Sequence, residues 1–472
     1  MRSLRSTLVL LVAFLVIGGY AWFVERERPP ASEADTPEQA FGDLEADTIT
    51  ALTVTADNGD VTELSRASEG ANDWTVTSPV DAPADGNAAS AIASSVASLE
   101  IRRVVQETVT DLSPFGLAPP GFAVTFAAAD GEPLTVAVGD ETPTGGERYA
   151  TIGDGRLLLI PGFLDTTLNR NTFDLRDRSV LEFTGPDTTS LTVDHAGVPA
   201  DGQFEGRLRF AKAEGDWRIV EPLDVRADFG LVEALVGRVG SAEMLTIVEE
   251  AAEGEALAQY GLETPRATAA IAVAGETHTL LIGEETPETT VWARDASRPL
   301  VFTVDAAMVD ELLRGSETYR QADLFDFRPF NVTELVIERE GRTIRFEKEV
   351  PPDGDDNADA PLVSTANDVW RRVEPSPEEI ERTPMDALLR GLSNLSADGF
   401  AASRDGIGLE DPTLRVTATF GDGETETALI SRSDDAAHGA HGDEPGAAIL
   451  DVAAVDTALE ALDALDPNVP SE

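Results

Sequence analysis

Three ten-residue strings carry one pattern: DWTVTSPVDA from Asp73, DWRIVEPLDV from Asp216 and VWRRVEPSPE from Val369. Each sets a tryptophan five residues ahead of a proline: Trp74 and Pro79, Trp217 and Pro222, Trp370 and Pro375. A chain that returns twice to one string is built from one unit used three times, so its fold is the unit's fold and its role is one that a repeated scaffold can serve.

Counting forward from each tryptophan extends the match without gaps. Ile92, Leu235 and Leu388 stand eighteen residues on, Val96, Val239 and Leu392 twenty-two, Leu99, Ala242 and Leu395 twenty-five. Steps of four and then three residues line one face of an α-helix. The proline ends the tryptophan strand, because a residue without an N–H is tolerated at a strand end and not inside a ladder. Each copy then carries a Gly-Leu-x-x-Pro turn, at Gly116 and Pro120, Gly261 and Pro265, Gly408 and Pro412. Alternating strands follow, with Val124 and Phe126 turning at Asp130-Gly131 and Leu414, Val416 and Phe420 turning at Gly421–Gly423. The period of two and the glycine turns are hairpin chemistry. An opening strand precedes each tryptophan at Thr50–Val54, Thr189–Val193 and Thr333–Ile337, and a short helix closes the unit, as from Ala306 and Val452. Asp174-Leu175-Arg176-Asp177 and Asp323-Leu324-Phe325-Asp326 follow the first two closing helices and read as a cap or turn at each junction.

The separations of 143 residues from Trp74 to Trp217 and 153 from Trp217 to Trp370 are the size of a domain. The fold class is therefore α+β: an amino-terminal transmembrane helix followed by three tandem α+β units of antiparallel sheet and packed amphipathic helices. The boundaries are 1–28 for a signal-anchor, 29–47 for a stalk, 48–185, 186–329 and 330–466 for the units, and 467–472 for a tail. A buried tryptophan removes about 150–250 Å² from water, roughly 4–6 kcal/mol gross at ~25 cal/mol per Å². That makes it the peg between helix and sheet; the functional alternative is a carbohydrate-stacking platform at each copy.

The front of the chain gives an address. Arg2 and Arg5 precede an unbroken apolar run from Leu8 to Val24, which as a helix spans about 25 Å, with Tyr20 and Trp22 suited to the interface. Gly19-Tyr20-Ala21 offers a cleavage triplet, but the apolar Trp22-Phe23-Val24 behind it favours an uncleaved anchor. The expectation is a single-pass protein of the inner membrane with its body outside the cytoplasm, on the periplasmic side.

Composition excludes several roles. With 35 basic and 87 acidic residues the net charge is −52, a field that repels phosphate backbones and sets nucleic acid aside as a partner. The absence of cysteine rules out disulfides, thiolate metal sites and cysteine nucleophiles. Only Lys212 and Lys348 represent lysine, and neither a Gly-x-Ser-x-Gly nor a phosphate-loop string is present. His438 and His441, in DDAAHGAHGDE, form the one metal-like string, and its glycines and alanines read as a solvated loop with nothing to hold a coordination geometry. The run from Pro351 has calcium-like spacing at Asp353, Asp355 and Asn357, but Ala358 and Ser364 stand where glycine and glutamate are needed. No catalytic residue, cofactor or metal is expected.

An amino-terminal membrane helix, the Trp-x-x-x-x-Pro strand, the amphipathic helix and the Gly-Leu-x-x-Pro turn before a hairpin together resemble the bacterial family called domain of unknown function 4340. The resemblance implies an extracytoplasmic protein often encoded beside an ABC-type transport system of the gliding-associated kind, and it brings no catalytic residues. The expected role is thus a noncatalytic accessory or scaffold of such a system, touching membrane transport proteins as well as the bilayer. The alternatives are an extracytoplasmic polysaccharide- or peptide-binding protein and, third, an envelope hydrolase.

Overall fold

The computed structural model describes residues 38–466 except 43, 129–130, 201, 350–368, 422 and 443. The expected anchor and the calcium-like run from Pro351 lie outside them. Among the described residues no helix is long and apolar enough to cross a membrane. Contacts divide the chain into two compact units, one ending at Arg178 and one beginning at Ser179. The first holds one nine-stranded antiparallel sheet and the second holds two.

The second repeat defines the architecture. Its strands are β1 (Thr188–His195), β2 (Gly206–Ala213), β3 (Asp216–Glu221) and β4 (Val225–Arg226); helix α1 (Phe229–Gly240) follows. Then come β5 (Thr246–Glu249), β6 (Ala267–Val273), β7 (Glu276–Glu285), β8 (Thr290–Asp295), β9 (Val301–Asp305) and helix α2 (Ala306–Leu312). The spatial order is β4-β3-β2-β1-β6-β7-β8-β9-β5. The chain thus meanders outward through four strands, crosses on α1 to the far edge, and returns through β6 at the centre to meander back to β5.

The other repeats have the same order with different lengths. In the first, the edge strands are Ala82–Pro83 and Arg103–Gln106 and the central pair is Ile49–Thr55 with Phe122–Ala128. In the third, the edges are Glu378–Ile380 and Ala397–Ala401 and the central pair is Val332–Arg339 with Leu414–Phe420. The three-unit α+β reading therefore holds at the level of sheet topology. Sequence had shown the opening strand, the tryptophan strand and the hairpin; it had not shown the short edge strands.

Alternation decides which face is buried. Leu191 and Val193 of β1, Phe210 of β2 and Ile271 of β6 point to one side, where Val232, Leu235, Val236 and Val239 of α1 and Met308, Val309 and Leu312 of α2 complete a single core. Asp228 caps α1 by accepting from the Leu231 N–H at 2.9 Å, and Asp85 caps the equivalent helix Gly86–Ala97 by accepting from Asn87 and Ala88. The positions counted from each tryptophan lie in these cores: Ile92, Leu235, Leu388, Val96, Val239 and Leu392 are fully buried.

The opposite face is covered by the Gly-Leu-x-x-Pro segment. Leu262 packs there with Ala252 and Val301 in the second repeat, and Leu409 with Ala440 and Ala447 in the third. Gly116, Gly261 and Gly408 all have positive φ. A Cβ on Gly116 would lie 2.4 Å from Asp140 Oδ1, so this turn needs glycine for space as well as for conformation. Residues 38–42 and 44–47, the described part of the segment read as a stalk, depart from that reading. Glu38–Gln39 pairs with Glu100–Ile101, and Phe41 sets its ring edge-on to Phe126, 5.0 Å between centroids. Apolar Phe41 and Leu44 draw the segment onto the first core.

Candidate functional site

The recurring residues turn out to be framework. Trp74, Trp217 and Trp370 are 3%, 1% and 4% exposed, which removes the sugar-stacking platform as a role for them. The Trp217 indole N–H donates to Glu233 Oε1 at 2.7 Å, and that of Trp74 to Ser90 Oγ at 3.1 Å. Arg66 lies over the Trp74 ring at 4.8 Å and Lys212 over the Trp217 ring at 5.3 Å. The peptide bonds before Pro79, Pro222 and Pro375 are all cis. Each tryptophan belongs to its own core, so the recurring positions do not converge on a shared site.

The histidines divide. His195 is buried, its Nδ1 against the Phe204 carbonyl, and His278 lies beside the Phe183 ring at 5.9 Å. His438 and His441 are not in a loop, contrary to the sequence reading. They lie on the strand Ala436–His441, which pairs with Glu424–Ser433 on one side and with Ala447–Leu450 on the other. Alanine and glycine are weak strand formers, so the string hid its conformation, and neighbouring strands impose it. Three residues apart on a strand, the two imidazoles point to opposite faces and cannot share a ligand.

His441 instead meets residues far away in sequence. Its Nε2 lies 3.3 Å from Glu426 Oε2 on the adjacent strand, and one ligand atom from each of Asp326, Glu426 and His441 falls within 4.8 Å of the others. Glu426 is 6% exposed, and its carboxylate accepts the Asp326 N–H at 2.9 Å and the Phe327 N–H at 3.0 Å. Those two bonds fix the carboxylate and the entry segment of the third repeat together. His441 Nε2 is buried and, despite its closeness to Glu426, has no aligned hydrogen-bond partner among the described residues.

Asp326 belongs to the second Asp-Leu-x-Asp string, and the two strings are not equivalent. The Asp85 N–H donates to the Leu175 carbonyl, whereas the matching Asp228 N–H donates to that of Tyr319. Tyr319, not Leu324, is thus the counterpart of Leu175, and the repeated spelling is coincidence. Asp326 Oδ1 accepts from Arg226 Nη1 of β4 at 2.7 Å. The Arg226 backbone N–H donates to Glu444 Oε1 at 2.7 Å, and its Nε lies 3.3 Å from the same oxygen. Arg404 clamps the loop bearing Glu444 by donating to the Gly442 carbonyl at 3.0 Å and the Gly446 carbonyl at 3.1 Å. Burial lowers the pKa of Arg320 from its ordinary value, against the raising effect of Glu444. Its guanidinium sits 4.3 Å from the centre of the Phe400 ring. This junction joins the second and third repeats through arginine.

Register shows how particular the third repeat is. Glu426 pairs with Ala418, His278 with Ile271 at the matching place in the second repeat, and Leu134 with Phe126 in the first. His441 likewise corresponds to Asp295. One framework position is therefore glutamate, histidine or leucine, and the ligand-type trio belongs to the copy that has Glu426. Beside it, a cleft of about 510 Å³ is lined by Trp217, Arg218, Arg226, Phe229, Asp326 and Phe420 among others, with Phe229 48% exposed.

A family model described as domain of unknown function (DUF4340) matches residues 74–213 and 217–412. No curated protein and no solved structure matches the chain.

Proposed function

The chain belongs to the DUF4340 family, and from that premise we propose that it is a noncatalytic, membrane-anchored envelope protein serving as an accessory or scaffold of an ABC-type transport system. The supporting observation is that the recurring tryptophans, at 3%, 1% and 4% exposure, sit in the cores. What the sequence repeats is a way of building a module, and modules so built act through the varied surfaces around them. The apolar run Leu8–Val24 supplies an anchor within reach of a permease, with the body in the periplasm. The net charge of −52 suits a basic protein face and opposes nucleic acid and anionic headgroups.

The test is co-purification in mild detergent. The full chain retains an ABC permease, and replacing residues 1–28 by a cleavable signal releases it. Recovery of the intact chain free of any transport component overturns the proposal.

A second reading is favoured by the cleft holding Phe229. An exposed ring in a concave site that Arg218 and Arg226 also line fits an extracytoplasmic polysaccharide or peptide. On that reading the soluble body binds the polymer without its anchor, and Phe229→Ala abolishes binding while leaving the fold intact.

A further inference from the structure

We propose that Asp326, Glu426 and His441 bind one divalent transition-metal ion of the zinc class. This goes beyond the transport reading and does not rest on it. It also departs from the sequence expectation of no metal, because the three ligands are scattered over more than a hundred residues.

The central observation is the 3.3 Å between His441 Nε2 and Glu426 Oε2. Two ligands on a tetrahedral ion with bonds of about 2.0–2.2 Å are separated by about 3.3–3.6 Å, the edge of the tetrahedron. A direct hydrogen bond would run shorter and aligned. Here the ring nitrogen is buried and has no aligned partner among the described residues, an unusual state for a polar atom in a packed interior. An ion between nitrogen and carboxylate satisfies both at once.

The surroundings are those of a supported site. Glu426 is held by two backbone N–H donors, and Asp326 by Arg226 Nη1 at 2.7 Å. Outer partners of this kind orient ligands and tune affinity. Asp326 is the exposed member, and its carboxylate reaches the ion while Arg226 holds it from the other side. One imidazole and two carboxylates suit zinc, cobalt, nickel or manganese, whereas calcium takes six to eight oxygens and this group offers a nitrogen. Three protein ligands leave at least one position for water. The ion ties the entry segment of the third repeat to its sheet, beside the Arg226 contact from the second.

The purified full-length chain, stripped with chelator, is titrated with Zn²⁺ by calorimetry and with Co²⁺ by visible absorption. One equivalent is expected, with the intense visible bands of low-coordinate cobalt and a Zn²⁺-dependent rise in melting temperature. His441→Asn lowers affinity about a hundredfold or more, beyond the range of losing an outer partner. His438→Asn, on the opposite face of the same strand, leaves it unchanged. If His441→Asn fails to fold, Asp326→Asn reports instead through the cobalt bands. Absence of stoichiometric binding, weak octahedral cobalt spectra, or binding that survives both substitutions overturns the site and leaves only a His441–Glu426 contact.

Discussion

Trp217 and Glu233 are joined by a 2.7 Å hydrogen bond from the indole N–H to Oε1, which links β3 to α1. The same oxygen accepts from Lys212 Nζ of β2 at 2.7 Å, so one carboxylate gathers two strands and a helix. The Lys212 bond, with that of Trp217, holds the Glu233 carboxyl below its ordinary pKa. A depressed carboxylate contributes stability above its unfolded pKa, near 4.3, and that contribution is lost as pH falls through the folded value. Glu233→Gln is expected to flatten the acid limb of stability against pH below about pH 5, measured by denaturant unfolding. An unchanged acid limb would show that the bond adds nothing net.

Removing Trp217 itself acts through packing. Trp217→Ala is expected to cost about 3–5 kcal/mol and to lower the melting temperature, because a side chain 1% exposed leaves a cavity. A folded variant of ordinary stability that had lost only ligand binding would restore the platform role.

The junction between the second and third repeats depends on Arg226. Arg226→Ala leaves Glu444, 11% exposed in its side chain, without that partner and is expected to cost about 3 kcal/mol. Arg226→Lys does not restore it, because an ammonium cannot span Asp326 and Glu444 together. Urea unfolding measures both variants, and equal stability of the lysine variant and wild type would refute the forked contact.

Glycines with positive φ separate space from conformation. Gly116→Ala places a Cβ 2.4 Å from Asp140 Oδ1 and 2.8 Å from the Asp140 nitrogen, whereas Gly153→Ala meets nothing within 4 Å. Both pay about 1–2 kcal/mol for the left-handed backbone, and Gly116→Ala costs at least about 1 kcal/mol more. Parallel thermal melts decide it; equal losses would mean that the turn yields freely.

The core and the trio differ in how far sequence reveals them. Ile92, Leu235 and Leu388 could be placed because a helix writes its buried face at steps of three and four, and repetition supplied the comparison three times. Val225–Arg226 could not be read as a strand, since two residues carry no period and only pairing with β3 makes them one. The spelling Asp-Leu-x-Asp misled in the other direction, matching letters where the backbone bonds of Asp85 and Asp228 match Leu175 with Tyr319. Asp326, Glu426 and His441 were illegible for a further reason. Their meeting is a product of strand register between distant segments, which local pattern does not encode.

Each large sheet is bordered by meagre strands, such as Ala82–Pro83 and Arg103–Gln106 in the first repeat and Val225–Arg226 and Thr246–Glu249 in the second. A border of two to five residues offers a neighbouring molecule little main chain to zip onto, and Pro83 withholds one donor. Crowded copies are thereby discouraged from polymerising through their backbones, so a repeat with nine strands can be multiplied along a chain without becoming a seed for fibrils.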